Sequence, residues 1–90
     1  MNLSRVAERY YARSREILGT MTLAMTTALE TGSVSHNFIV QMIPHHQAAV
    51  EMARNALRLP VCETLRPTLC GIIDTQSQEL AEMRRLLRCL

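Results

Sequence analysis

Two short breaks limit what this chain can fold into. The first is Thr31-Gly32-Ser33, where Gly32 fits the C′ position that ends a helix. The second is Leu59-Pro60, because the residue before a proline is disfavoured in the helical region. These breaks leave three long segments, at about 3–31, 35–59 and 61–89, with no repeat, linker or low-complexity tract.

All three segments carry apolar residues at helical rather than strand spacing. At about 100° per residue, the first aligns Val6, Ala7, Tyr10, Ile17, Leu18, Met21, Met25 and Ala28. The second aligns Phe38, Met42, His45, His46, Ala49, Met52, Ala53 and Ala56. The third aligns Leu65, Leu69, Ile72, Ile73, Gln76, Glu79, Leu80, Met83 and Leu87. Charged residues such as Glu16, Glu51, Arg54 and Arg85 take the opposite faces. Three amphipathic helices with short connections predict an all-α, antiparallel three-helix bundle. Pro44 and Pro67 fall inside the second and third segments, so proline irregularities are expected in both helices.

Size and composition exclude several functions. The 90 residues make a single domain, 1–90, with one modest core. A hydrophobic share of 48% and a charged share of 20% indicate a globular chain. The only aromatics, Tyr10, Tyr11 and Phe38, are too few for a base-stacking platform. A net charge of +2 is too small to pull strongly on nucleic acid or membrane surfaces. No apolar run approaches the ~20 residues of a membrane span. Glu8, Arg9 and Arg13 interrupt the apolar stretch that a signal peptide needs, so a cytoplasmic location is expected. Cys62, Cys70 and Cys89 share no C-x-x-C spacing and read as small unpaired thiols.

The chemistry concentrates in the second segment. Met42 precedes His45 by three positions and His46 by four, and Met52 follows His45 by seven. These four residues are expected on one inward face. Ala49 and Ala53 between them leave room for a ligand or a neighbouring helix. A methionine at helical spacing fills a core more often than it binds a metal. Two adjacent histidines on an apolar face are harder to explain as filler, because each needs hydrogen-bond partners when buried.

If the first two helices turn near residue 33, Met21 comes level with His45, and Met25 with Gln41. If the next two turn near residue 60, residues 74–78 come level with the histidines. Met21, Met25, Met42, His45, His46 and Gln76 are then expected in one layer, with Glu79 one turn away. Thioethers favour soft ions such as Cu(I) or Ag(I), and imidazole accepts copper or zinc. Gln76 and Glu79 are placed to orient a ligating imidazole, or to reach water at the stripe edge. A di-iron centre needs paired Glu-x-x-His motifs, which are absent, and so is His-Glu-x-x-His. With no phosphate-binding glycine loop or nucleophile motif either, no enzymatic activity is expected.

The run Phe38-x-x-x-Met42-Ile-Pro-His45-His46-Gln-x-Ala49-x-x-Met52-Ala53, followed by Gln76-x-x-Glu79-Leu-x-x-Met83-x-x-Leu86-Leu87, resembles a known family. That family is called domain of unknown function 305 and includes the copper-resistance protein CopM. The resemblance covers about residues 36–90 and implies a ferritin-like helical bundle linked to copper binding and tolerance. It implies ligand roles for Met42, His45, His46, Met52 and Met83, whereas Met21 and Met25 rest on the layer argument alone. The three cysteines are not part of the family motif.

The resulting expectation is a non-catalytic protein holding Cu(I) through Met and His, for sequestration or transfer, with a homodimer or larger homo-oligomer completing the bundle. One alternative is a structural or partner-binding helical module without metal. Another is a small metal-sensing regulator using Arg84, Arg85 and Arg88. Those arginines also suit the C-terminal end of a helix dipole, and no helix-turn-helix pattern accompanies them.

Overall fold

The computed structural model describes the backbone from Leu3 to Leu90 and the side chains from Ser4 onward; residues 1–2 lie outside the described part. Three α-helices follow one another: α1 at Leu3–Thr27, α2 at Val34–Leu57 and α3 at Arg66–Leu87. A 3-10 turn at Glu63–Leu65 leads into α3.

The first connection is built differently from the expected glycine stop. α1 ends at Thr27, before Gly32, and no described glycine takes a positive φ. The turn is held by Asn37 instead. Its Oδ1 accepts from the Thr31 backbone N at 2.9 Å and from Thr31 Oγ1 at 2.8 Å, and its Nδ2 donates to the Thr31 carbonyl at 2.8 Å. Ser33 then caps α2, its Oγ accepting from the His36 N–H at 3.1 Å. This satisfies one of the donors left open at a helix start. Ser33→Ala is expected to cost about 1 kcal/mol. That is a fall of roughly 4–8 °C in a thermal melt followed by circular dichroism.

Pro67 corrects a second expectation. It lies in the first turn of α3 rather than in its interior. There a proline removes no helical hydrogen bond, since the first-turn N–H groups have no partner anyway. The 3-10 turn ahead of it absorbs the chain reversal. Pro44 does lie inside α2, and the helix runs through it.

The helices pack as a layer with α2 in the middle. α2 contacts α1 on one side and α3 on the other, while among the described residues the backbones of α1 and α3 do not come into contact. The Cα atoms span 52 × 25 × 13 Å, one helix deep in the thin direction. The radius of gyration is 15.5 Å, against about 12 Å for a compact domain of this length. The α1–α2 seam joins Tyr10 to Asn55 and Arg13 to Glu51, with Ile17 and Met21 beside Pro44 and Ala48. The α2–α3 seam holds the apolar cluster of Ile39, Val50, Leu80 and Met83, flanked by Met42, Ile43, Ile73 and Leu87.

A central helix needs two contact stripes, and this changes which residues of α2 are buried. They are Ile39, Ala48, Val50, Ala53 and Asn55. Only Ala53 belongs to the face expected to point inward. Met42, His46, Ala49, Met52 and Ala56 are half-buried, and Phe38 and His45 are exposed. Among the described residues no large side chain falls below 2% exposure.

Candidate functional site

The histidines open the fourth turn of α2, immediately after Pro44. Pro44 has no N–H to give the Val40 carbonyl, so the local ladder is interrupted one turn before the site. His46 has 14% side-chain exposure and two polar contacts. Its Nδ1 lies 3.0 Å from the Met42 carbonyl oxygen, and its Nε2 lies 2.5 Å from Glu79 Oε2 on α3. A carbonyl can only accept, so Nδ1 is the donor of the first bond. That fixes the ring and directs Nε2 at the carboxylate.

A ring nitrogen donating to a backbone carbonyl is the usual way a metal-ligating histidine is held, leaving the other nitrogen for the ion. Glu79 is half-exposed, with 51% side-chain exposure, and can swing away from Nε2 or stay as a partner. Met42 supplies both the carbonyl and a thioether on the same helix. Met83 sits in the buried cluster against which Met42 packs. One turn before Glu79, the buried Gln76 Oε1 has no hydrogen-bond partner. A buried acceptor without a protein partner is costly.

The other expected residues are more scattered. His45 is exposed, its ring centroid 5.8 Å from that of His46. Met52 lies half-buried two turns further along. Met21 lines the α1–α2 seam with Ile17, Ala24, Pro44, Gln47 and Ala48, and Met25 is half-buried one turn later. The expected single layer is therefore divided. Met21 belongs to one seam of α2, and Met42, His46, Met83 and Glu79 to the other.

Residue levels also shift. His46 meets Glu79, and Arg66 reaches the Leu57 carbonyl at 3.5 Å. The reversal into α3 is thus centred nearer residue 62 than residue 60, because residues 58–65 form an open connection rather than a tight turn. Glu79, expected one turn off, is the residue on the histidine.

Among the described residues, no three His, Cys, Asp or Glu side chains gather into a ready-made ligand set. Further donors for the imidazoles would be the thioethers of Met42, Met52 and Met83. The thiols of Cys62, Cys70 and Cys89 are free and exposed, on or beyond α3 and its leading turn. A hydrogen bond from the Thr64 side chain, Oγ1 to Sγ at 3.0 Å, holds the Cys62 thiol below its ordinary pKa. Glu82 is drawn to Arg85, which lowers its pKa, and is not engaged with the histidines.

Two buried polar residues carried no signal in the sequence pattern. Asn55 donates from Nδ2 to the Tyr10 carbonyl at 3.2 Å across the α1–α2 seam, and Ser14 is buried in α1. Both lie on stripes where the period alone would place an apolar residue. No helix among the described residues is long and apolar enough to cross a membrane.

No curated protein and no solved structure shows a significant match to the chain. A family model does match, over residues 4–87, so the likeness extends through α1 as well as the His-His segment. The chain belongs to the family described as a domain of unknown function, DUF305.

Proposed function

We propose that this protein binds a soft metal ion, with Cu(I) favoured over Ag(I) or zinc, and holds it for sequestration or transfer without catalysis. The observation that carries the reading is the setting of His46. Its Nδ1–H is tied to the Met42 carbonyl, its Nε2 faces a half-exposed carboxylate, and a thioether lies on the same turn. His45, His46, Met42, Met52 and Met83 are the proposed ligands, with Glu79 and Gln76 as orienting partners. Met21, at the other seam, and Met25, one turn later on α1, are the more distant donors. Thioether ligands need no deprotonation, so the imidazoles set the acid limit of binding.

The finer architecture belongs to the same reading. The pairs Tyr10–Asn55 and Arg13–Glu51, and Arg66–Leu57 and His46–Glu79, support an antiparallel run of neighbouring helices. A ferritin-like arrangement would follow if copies of the layer assemble into a larger bundle.

Anaerobic titration with Cu(I) against a competing chelator tests this. The parent is expected to bind one ion per chain or per pair of chains. A His45→Ala/His46→Ala variant is expected to lose at least 100-fold in affinity, about 2.7 kcal/mol. Equal binding by both proteins would remove the histidines from the site.

A second reading has an observation in its favour: Met42 and Met83 pack with Ile39, Val50 and Leu80, as core methionines do. On that reading the domain is a structural or partner-binding module. Added Cu(I) would then leave the melting temperature unchanged, whereas an ion that binds only the folded state must raise it.

A further inference from the structure

The monomer is too open for its mass. Its accessible surface is 6335 Å², whereas a compact protein of 10.2 kDa exposes about 5,300 Å². The excess, about 1,000 Å², follows from a layer one helix deep. The two broad sides of that layer differ sharply in chemistry.

Around α2, the α1 contacts centre on Pro44, Ala48 and Asn55, and the α3 contacts on Ile39, Ile43 and Val50. Two strips of α2 remain between them. One carries Gln47, Glu51, Arg54 and Arg58, lining shallow clefts with Arg13 of α1 and with Ser77 and Arg84 of α3. The other carries Phe38, His45, Ala49 and Met52, with half-buried Met42 at its border with the α3 seam, and no Asp, Glu or Arg among them. Helical geometry puts Leu18 of α1 and Leu86 of α3 on that second side, 43% and 37% exposed, beside Phe38 at 58%. The charged group facing this strip from α3 is Glu79; from α1 the side is flanked by Tyr11 and Leu18, with exposed Arg15 one turn from each.

The geometry points to this side as the docking face for a second copy of the chain, α2 against α2, with soft donors contributed by both copies. Three observations favour a second copy as the occupant. The layer presents roughly 1,300 Å² in projection, from extents of 52 × 25 Å, and a stable pair needs only about 800 Å² per partner. A two-fold contact needs no complementary charge, and the α2 residues of this strip carry no Asp, Glu or Arg. Ala49, near the middle of the strip, lets two helices approach closely.

A two-fold axis across the strip runs the two α2 helices in opposite directions. The centre of the strip lies between His45 and Ala49. Met42 of one copy then lies opposite the partner's Met52, and His45 opposite the partner's Ala49. Exposed His45 would gain a thioether from across the axis. The face itself stands on shape and surface; only the sharing of donors rests on the copper reading above.

Light scattering on the parent should give twice 10.2 kDa. Ala49→Glu at the centre and Phe38→Ser at the exposed rim should each shift the mass toward one chain while the helical circular dichroism is kept. A parent of single-chain mass at about 100 μM, or a pair indifferent to both substitutions, overturns the face. The donor sharing is read by mixing Met42→Ala with Met52→Ala chains. Statistical exchange places one intact pair of thioethers in each mixed dimer, so about one quarter of the parent's tight Cu(I) sites return. No recovery on mixing, with the parent still binding, overturns the sharing and leaves a site within one chain. A paired parent that binds no Cu(I) ends the copper reading and the sharing together, and leaves the face standing on its mass.

Discussion

Leu80→Ala is expected to cost about 2–3 kcal/mol, the lower half of the range for truncating a buried leucine. Leu80 is 7% exposed and sits in the cluster with Ile39, Val50 and Met83 that joins α2 to α3. Removing it subtracts the transfer energy of the lost methyl groups and leaves a void between helices that are held apart by their other contacts. The value stays below that of a deep core because no large side chain among the described residues is fully enclosed, so water can reach part of the void. For a domain of this size the change lowers the melting temperature by roughly 10–20 °C. Denaturant titration separates this from a change in compactness: the midpoint should fall with the slope kept. Leu86→Ala, at 37% exposure on the same helix, serves as the reference and should cost less than about 1 kcal/mol. Equal losses at the two positions would mean that the α2–α3 cluster is not the core of the domain.

The same cluster explains what the sequence pattern could and could not reveal. The helix count and the breaks near residues 32 and 60 were legible, because Gly32, Pro60 and the 3.6-residue period are local signals. The burial pattern of α2 was not. A single amphipathic stripe describes a helix with one partner, but α2 has two, lying on well-separated sides. Averaging over one stripe selects the strip between them, which is why Met42, His45, Ala49 and Met52 looked inward while Val50 and Ala48 are the residues enclosed. Asn55 escaped for a related reason. A polar residue on a contact stripe reads as a break in the pattern until its partner, the Tyr10 carbonyl, is known.

The site was legible in part. The spacing of Met42, His45 and His46 was enough to mark the segment, since it depends on one helix alone. The partnership of His46 with Glu79 depends on the register between α2 and α3. That register is set by the open stretch at 58–65, whose length in space cannot be read from a proline. Family membership reaches back to residue 4, although no residue of α1 stands out chemically. Its contribution is the α1–α2 seam, a packing surface of Ile17, Met21 and Ala24 rather than a motif.

Pro44→Ala is expected to stabilise the fold and weaken the site. An interior proline is about 3 kcal/mol less favourable than alanine in a helix. Part of that difference is offset, because proline also restricts the unfolded chain by about 0.4–1 kcal/mol. Its ring further fills the seam beside Ile17, Met21 and Ala48, and that packing would be lost. The net gain should be about 1–2 kcal/mol, a rise of roughly 4–16 °C in melting temperature. The restored N–H gives the Val40 carbonyl its partner and tightens the turn that carries Met42, His45 and His46. The bond from His46 Nδ1 to the Met42 carbonyl depends on that turn, so the ring should lose its fixed direction toward Glu79. Cu(I) affinity is then expected to fall by about tenfold, as it does when an outer partner of a ligating histidine is removed. Melting curves and chelator competition on the same preparation read both effects. Higher stability with weaker binding identifies Pro44 as a device that spends fold stability on the geometry of the histidines. Higher stability with unchanged binding would leave the proline without a role at the site. Lower stability would mean that its packing against α1 outweighs the hydrogen bond it removes.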